Sequence, residues 1–402
     1  MRAGSVYRIG TASMFQRSIL SSELVAAMPQ HLRRSILAAV AAACCTSAWS
    51  IEAPKSEPAT TASEAAPPAV VDETAFYQTL RRSTQRRTLS GLRIPEDVIL
   101  SLARGEADIA VANLSGAAVK GGNDENIALV RLQHWCNRVI SAPAADPQAQ
   151  IDKLDAGLPE DRRARAAGVL REEVRYRSAA AAGCRKAQFD YQGIERRLRA
   201  AAEAGDPASA TELSQFLRDP ARKQAMLKAA AAKNFAPALH ALATQRLIAV
   251  QRNENTEDVA SIRTMFKQAG RTLNKAKLEL ANCMAVGCDG YPADGPAAAA
   301  FGLDAARDGE PLAFPSMVRM GWGVRLTRTQ LLAWQYFGDR LNEAGCNGDA
   351  YVSSLTAFNQ TIKALQQGQD EKFIAGAQQQ AEDFWRDHGP RAQKEQGCMP
   401  PS

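Results

Sequence analysis

A glycine flanked by small residues at fixed offsets, within residues 297–346, most constrains how this chain can fold. Ala305 and Ala306 lie four and three residues before Gly309, and Ala313 lies four residues after it. Small side chains at these offsets let two helices approach closely, and glycine tolerates the left-handed backbone that ends many helices. The segment therefore predicts a helix, a tight turn at Gly309 and a second helix.

A second turn follows at Gly321-Trp322-Gly323, and the next helix is expected to begin near Thr329. The glycines at 321 and 323 are interpreted as turn residues rather than as a phosphate-binding loop, because no strand precedes them. A helix, a turn, a second helix and a second turn make up one unit of an α-solenoid.

The same spacing of small residues recurs upstream. Gly205 follows Ala201 and Ala202, and Asn234 follows Ala230 and Ala231 at the same offsets. Asparagine also tolerates the left-handed conformation, so Asn234 is predicted to occupy the position that glycine holds elsewhere. The 75 residues between Asn234 and Gly309 leave room for about two units, one of them degenerate.

Over residues 194–346 this pattern resembles the Sel-one-like repeat, a relative of the tetratricopeptide repeat. The segment at 297–346 carries the fullest match, with the Gly-Val turn and an aromatic second helix containing Trp334, Tyr336 and Phe337. The resemblance implies an all-α α-solenoid and a role in protein–protein contacts. It implies no catalytic residue, cofactor or metal.

The chain begins with features typical of an exported protein. Met28 opens a short basic segment, and an apolar run of 11 residues, Ser35–Cys45, follows. This layout is that of a secretory signal peptide, and the run is too short to span a membrane. Residues 1–50 are therefore predicted to be a signal peptide region, with Met28 as the expected true start. Cys44 follows three alanines and is a candidate for lipidation.

The body of the chain is predicted to be helical throughout. Residues 51–74, rich in Pro, Ala and Ser, are predicted to be a disordered linker. An N-terminal helical region is expected at 75–192, Sel-one-like repeats at 193–346 and C-terminal capping helices at 347–402. The predicted helices are Thr74–Thr88, Pro95–Arg104, Asn123–Ile140, Pro159–Ala182, Arg185–Ala204, Pro220–Lys233, Phe235–Arg252, Val259–Gly270, Leu273–Met284, Ala297–Asp308, Pro311–Met320, Thr329–Ala344, Ala350–Gln367 and Lys372–His388.

Net charge argues against nucleic acid as a partner. Residues 1–49 hold five Arg and one Glu, so 44 basic and 42 acidic residues remain, a net charge of +2. No basic patch with interleaved aromatic residues occurs. The arginine runs at 162–165 and 196–199 are interpreted as solvated helix faces.

Six cysteines follow the leader, and an even number in an exported chain favours disulfides. Sequence proximity predicts the pairs Cys136–Cys184, Cys283–Cys288 and Cys346–Cys398. A zinc site is the weaker interpretation, because zinc needs four ligands at short paired spacings and no His lies near the one close pair.

The sequence contains no local catalytic motif. None of the four histidines, at positions 31, 134, 240 and 388, lies in a metalloprotease motif, and no Gly-x-Ser-x-Gly occurs. Trp322 and Arg325 are candidates for an exposed partner-binding pair, since both residue types are common interface anchors. The stripe that contains Leu331, Trp334 and Leu341 is interpreted as core.

The sequence thus predicts a non-enzymatic helical scaffold in the bacterial envelope, periplasmic or secreted, which binds a protein or peptide. Contact with a membrane is expected only through a lipid at Cys44. Two alternatives stay open: an all-α envelope enzyme that acts on cell-wall glycan, and a cytosolic helical adaptor if the leader does not function.

We predict that the leader is cleaved between Ala43 and Ser50 during export, because small residues at this point follow the apolar run. Cell fractionation with N-terminal sequencing of the purified protein checks this, and the new N-terminal residue separates lipidation at Cys44 from free release. Full-length protein in the cytosol would contradict the prediction.

Overall fold

A computed structural model describes residues 73–142, 145–217, 219–252, 259–287, 292–322 and 326–399. All of these residues lie in one compact unit, Ala69–Ser402. The leader, Cys44 and the linker up to residue 72 lie outside the described residues, as do Cys288, Gly323 and Arg325.

Throughout the described residues the regular elements are helices. The α-helices are α1 Glu73–Thr88, α2 Glu96–Ala103, α3 Ala107–Val119, α4 Asn123–Ser141, α5 Pro147–Ile151, α6 Glu160–Lys186, α7 Tyr191–Glu203, α8 Pro207–Ser214, α9 Pro220–Ala232, α10 Ala236–Gln251, α11 Val259–Ala269, α12 Asn274–Val286, α13 Gly295–Arg307, α14 Ala313–Arg319, α15 Arg328–Glu343, α16 Tyr351–Gln366 and α17 Glu371–Gln396. A short 3₁₀ turn, Gly348–Ala350, precedes α16. None of the described helices is both long enough and apolar enough to cross a membrane.

Local sequence explains where many of these helices begin. Asp206 and Asp219 cap α8 and α9 by accepting a backbone N–H, and a proline follows each of them at the first helical position. Thr327 and Gln330 form a reciprocal capping box at the start of α15. Such caps satisfy backbone N–H groups that have no partner within the helix.

Three helices lie where the sequence pattern did not predict them. They are α3, α5 and α8. Helix α3 is rich in alanine and other apolar residues on all sides, so it shows no helical periodicity. Helices α5 and α8 are short and begin with proline. A short segment that begins with proline is equally typical of a loop.

The predicted start of the helix Arg185–Ala204 is wrong. Helix α6 continues through Lys186, the chain then extends, and α7 begins at Tyr191. Asp190 ends the extended stretch because its carboxylate accepts the Gly193 N–H and caps α7.

Left-handed residues end helices at the predicted turns. Gly205, Asn234, Gly309 and Gly321 have φ of 91°, 57°, 74° and 72°. The N–H of Glu310 bonds to the Ala305 carbonyl at 3.0 Å, and the N–H of Gly309 bonds to the Ala306 carbonyl at 2.9 Å. This pair of hydrogen bonds is a Schellman motif, which satisfies carbonyls that the helix leaves free.

The same motif occurs at four positions that the sequence analysis did not identify, two of which are Gly121 and Gly397. Gly105 and Gly345 also have positive φ, with the equivalent pair of backbone hydrogen bonds. Between Asn234 and Gly309 the turn differs: α11 and α12 are joined through residues 270–273, and Gly270 lacks a positive φ. This hairpin lies between the turns at Asn234 and Gly309, and its assignment as a degenerate unit stays a prediction.

Buried side chains among the described residues form three clusters. The largest extends from α8 to the end of α17, and the second joins α2, α3, α4, α6 and α7. The third contains Phe76 and Leu80 of α1, Val169 of α6, and Tyr351 and Leu355 of α16. The N-terminal helix therefore packs against the C-terminal segment. The predicted boundaries at 192–193 and 346–347 stay predictions, and core clusters cross both.

Within the part of the chain that the structure describes, two disulfides connect helices, and both are pairs that sequence proximity predicted. Cys136–Cys184 joins α4 to the end of α6, and Cys346–Cys398 joins the ends of α15 and α17. Cys283 is buried in α12, and its predicted partner Cys288 lies outside the described residues.

Asp308 connects the central turn to two other helices. Its side chain is almost fully buried, with Lys277 Nζ of α12 at 3.0 Å and Arg391 Nη2 of α17 at 2.6 Å. Its backbone carbonyl accepts the Gln396 Nε2 hydrogen at 3.1 Å. A buried carboxylate needs such partners, because removing a charge from water without them is costly.

We predict that Gly309→Ala destabilises the protein more than Gly321→Ala. Both substitutions force a side chain into a left-handed backbone, at about 1–2 kcal/mol each. At Gly309 a Cβ would also lie 2.9 Å from the Ala392 Cβ of α17, whereas at Gly321 no atom lies within 4 Å. Overpacking adds about 1–3 kcal/mol at Gly309. Urea unfolding followed by circular dichroism measures both free energies, and equal losses would show that the α17 contact is unimportant.

Candidate functional site

A cleft of about 760 Å³ opens between the α3–α4 turn and the α7–α8 turn. Each turn contributes a left-handed glycine, Gly121 with φ 101° and Gly205 with φ 91°. The cleft therefore lies where two helical hairpins meet, at the junction between the predicted N-terminal region and the predicted repeats.

Small apolar residues form most of its walls. They include Ala118 on α3 and Ala200, Ala201 and Ala204 on α7. Because alanine side chains end at Cβ, the two hairpins leave open space where longer residues would fill it. Val119 stands at the rim with 71% of its surface exposed. Such walls accept apolar side chains of a ligand.

Arg197 supplies a fixed positive charge within this cleft. Its Nε donates to Asn126 Oδ1 at 2.8 Å, and its Nη1 lies 3.7 Å from the Asp190 carboxylate. Asn126 is itself held, because its Nδ2 donates to the Gly122 carbonyl at 3.0 Å. The guanidinium is therefore oriented before any ligand arrives, which lowers the entropy cost of binding.

Four polar side chains line the cleft. They are Asn123, Asn126, Arg197 and Asp206. The Asp206 carboxylate accepts the Ser209 N–H and caps α8, so it is already engaged. None of these four is an activated nucleophile or an acid–base pair within hydrogen-bond reach.

A second polar group lies between α10 and α12. His240 Nε2 is 2.8 Å from Glu279 Oε2, and the Thr244 hydroxyl donates to the same oxygen at 3.1 Å. Burial raises the pKa of Glu279, but the His240 contact together with Lys275 and Thr244 holds it below its usual range. The threonine hydroxyl bonds to the carboxylate and not to the histidine, so this arrangement does not activate a nucleophile.

Glu310, directly after the central glycine turn, is a carboxylate with a raised pKa. Burial raises its pKa above the ordinary value, although the Leu312 N–H and the charges of Arg87 and Lys275 oppose that effect. Glu279 is close enough for its negative charge to raise the Glu310 pKa further. A carboxyl whose pKa is raised by burial resembles the general acid of a glycan-cleaving site.

The arginine run at 162–165 was predicted to be a solvated face, and this is wrong for two of its members. Arg162 lies 2.5 Å from Asp339 and 2.8 Å from Glu343, and Arg165 pairs with Glu343 as well. Burial raises the pKa of Asp339, and the contact with Arg162 opposes this. These ion pairs tie α6 to α15 and are satisfied, which favours a structural role.

The run at 196–199 is divided in the same way. Arg199 pairs with Glu195 one turn away on α7, as expected of a solvated face, whereas Arg197 faces the cleft. Sequence reasoning missed Arg197 because its partner Asn126 lies 71 residues earlier in the chain. No local signal separates the two arginines.

The expectation that Trp322 is exposed is wrong. The side chain is 1% exposed, and its Nε1 donates to Asn282 Oδ1 at 3.2 Å. It packs against Gly302, where a Cβ would lie 2.6 Å from the indole ring. Gly302 belongs to the same small-residue spacing as Gly309. A small residue at this position was the sequence signal that a large side chain packs against it. Arg325 lies outside the described residues.

The stripe on α15 is core, as predicted. Trp334 is 4% exposed and Leu341 is 1% exposed, while Leu331 packs at the edge of the largest cluster. Among the described residues, no three His, Cys, Asp or Glu side chains are placed to hold a metal ion together.

No family model matches this sequence, and no curated protein matches it. One solved structure that is similar to the chain is a protective antigen present in uropathogenic Escherichia coli strains, which displays an SLR fold, the Sel-one-like repeat fold. The identity is 14%, the match covers 81% of this chain and 88% of that one, and the TM-score is 0.31. The repeat interpretation of this chain therefore depends on its own left-handed turns and helical hairpins.

Proposed function

We propose that this protein is an exported, disulfide-stabilised, non-enzymatic scaffold that binds a protein or peptide partner in the bacterial envelope. The cleft between the α3–α4 and α7–α8 turns carries this proposal. It combines apolar walls with one pre-oriented guanidinium, the combination that a peptide segment needs for burial and for orientation.

The proposed compartment is the periplasm or the exterior. It is supported by two buried disulfides and by the signal-like layout before Cys45. Structural disulfides form and persist in oxidising compartments. We propose that a lipid at Cys44 is the one route to membrane attachment, and that nucleic acid is not a partner.

We predict that Ala201→Arg abolishes partner binding, because the long side chain would occupy the cleft and place a second positive charge beside Arg197. The matched control is Gln192→Arg, which adds the same charge at an exposed position in the first turn of α7. Cross-linking in intact envelopes followed by affinity purification and mass spectrometry measures the partner recovered.

The partner should be recovered with the wild type and with Gln192→Arg, and at least tenfold less with Ala201→Arg. Equal recovery with all three proteins would show that the cleft is not the binding site. Unchanged circular dichroism and melting temperature of Ala201→Arg are required for the comparison.

A second candidate function, cleavage of cell-wall glycan, is favoured by Glu310 alone. The raised pKa of this carboxyl suits a general acid. The Leu312 N–H and two nearby cations oppose that role, since they stabilise the ionised form.

We predict that neither the wild type nor Glu310→Gln releases muropeptides from purified cell wall. Chromatography of the soluble products measures this, with a known lytic enzyme confirming that the substrate is competent. Release by the wild type that Glu310→Gln abolishes would replace the scaffold proposal with the enzymatic one.

A further inference from the structure

The Cys346–Cys398 disulfide lies between two identical helix ends. Cys346 directly follows the left-handed Gly345 that ends α15, and Cys398 directly follows the left-handed Gly397 that ends α17. Each cysteine N–H bonds to a carbonyl five residues earlier, closing a Schellman motif. The bridge therefore holds two helix C-termini side by side. We call this surface, residues 345–349 and 396–398, the turn platform.

The N-terminal helix sits on the turn platform through a buried serine. Ser83 Oγ of α1 lies 2.9 Å from the Cys346 carbonyl oxygen and 3.0 Å from the Gln396 carbonyl oxygen. The serine is fully buried. The Ser83 hydroxyl stays within hydrogen-bond distance of both carbonyl oxygens only while the two helix ends keep their spacing. The disulfide sets that spacing.

Contacts on either side of Ser83 extend this fit. A Cβ at Gly345 would lie 3.1 Å from Thr79 Cγ2, and a Cβ at Gly397 would overlap the Arg86 side chain. Arg87 Nη2 donates to the Asn347 carbonyl at 2.5 Å. Both glycines are thus needed for their left-handed backbone and for the close approach of α1.

We propose that α1 is a redox-dependent latch, in which docking of the helix and the Cys346–Cys398 bridge protect each other. The two cysteines are 0% and 2% exposed, so an attacking thiolate reaches the bridge only after the fold opens there, and Ser83 of α1 bonds to the backbone at both helix ends. Once the bridge is open, the two helix ends are free to separate, and Ser83 loses one of its two acceptors. Coupling between two such events is reciprocal.

The reaction that releases the latch is thiol–disulfide exchange with a dithiol. One thiolate of the dithiol attacks a sulfur of the bridge, and the other cysteine leaves as a thiolate and takes up a proton. The second thiol of the reductant then displaces the first cysteine. The protein gains two thiols, and the dithiol becomes a disulfide.

Docking of α1 on the turn platform closes a very long loop of the chain. The latch can therefore open while the repeats between its two ends stay folded. Ser83 is 263 residues from Cys346 and 313 residues from Gln396. The entropy cost of closing such a loop is offset only when the last residues of the chain have formed their contacts with α1. Other contacts of α1, such as the ion pair of Arg81 with Glu173, keep the helix near its site but do not involve the platform.

The test compares the rates at which Cys346–Cys398 and Cys136–Cys184 of one molecule are reduced. Dithiothreitol is added to the oxidised full-length protein, thiols are alkylated at intervals, and mass spectrometry of the peptides gives a rate for each bridge. Ser83→Leu places a larger side chain on the platform and leaves all cysteines intact. Gln78→Leu is the control, since it introduces the same residue at an exposed position of α1.

We expect Ser83→Leu to accelerate reduction of Cys346–Cys398 at least tenfold and of Cys136–Cys184 less than twofold. Cys136–Cys184 is buried to a similar extent and belongs to a different core cluster from Phe76 and Leu80 of α1, so it reports opening of the fold elsewhere. Gln78→Leu should change neither rate by more than twofold. Equal acceleration of both bridges, or no acceleration of either, would overturn the latch.

Hydrogen exchange of the Cys346→Ser/Cys398→Ser variant tests the reverse direction. Amides of α1 should lose at least tenfold protection, while those of α7 to α9 change less than twofold. Unchanged protection of α1 overturns the proposal. If this variant fails to fold, the Ser83→Leu reduction rates decide alone.

Discussion

The left-handed residue at the end of a helix is the constraint on which the rest of this structure depends. At Gly205 and Gly309 it turns the chain within a few residues and closes two backbone hydrogen bonds, so the next helix packs directly against the last. The flanking alanines keep that contact close. At Gly309 the limit on side-chain size extends to a third helix, because Ala392 of α17 occupies the space above the glycine. Size, more than polarity, therefore decides which residues these positions accept.

Contacts between helices that are distant in sequence connect the helical array into one packed unit. In an open solenoid each unit contacts only its neighbours, and stability is close to a sum over units. Here Phe76 and Leu80 of α1 pack with Tyr351 of α16, and Asp308 links α12, α13 and α17. Such contacts couple the ends of the chain to its middle. The N-terminal helix lies next to the C-terminal turns, where Ser83 donates to the Cys346 carbonyl.

The same small residues that permit close packing also create the cleft. Where α3 and α7 diverge, alanines leave a space that neighbouring side chains do not fill, and Arg197 is held at its side by Asn126. The proposed peptide binding depends on both features, since buried apolar area supplies binding free energy and a fixed guanidinium orients its partner. Glu310 and the His240–Glu279 pair do not line this cleft.

The sequence by itself determined the features whose cause is local. An all-α fold, left-handed turns at Gly205, Asn234 and Gly309, and two disulfides between nearby cysteines follow from backbone sterics and from short separations along the chain. Tertiary structure alone decided the partners of Arg162 and Ser83 and the burial of Trp322. Arg162 meets Asp339 across 177 residues, Ser83 meets Cys346 across 263, and Trp322 is enclosed by helices α12 and α13. Burial depends on what packs above a residue, and no pattern within one or two helices carries that information.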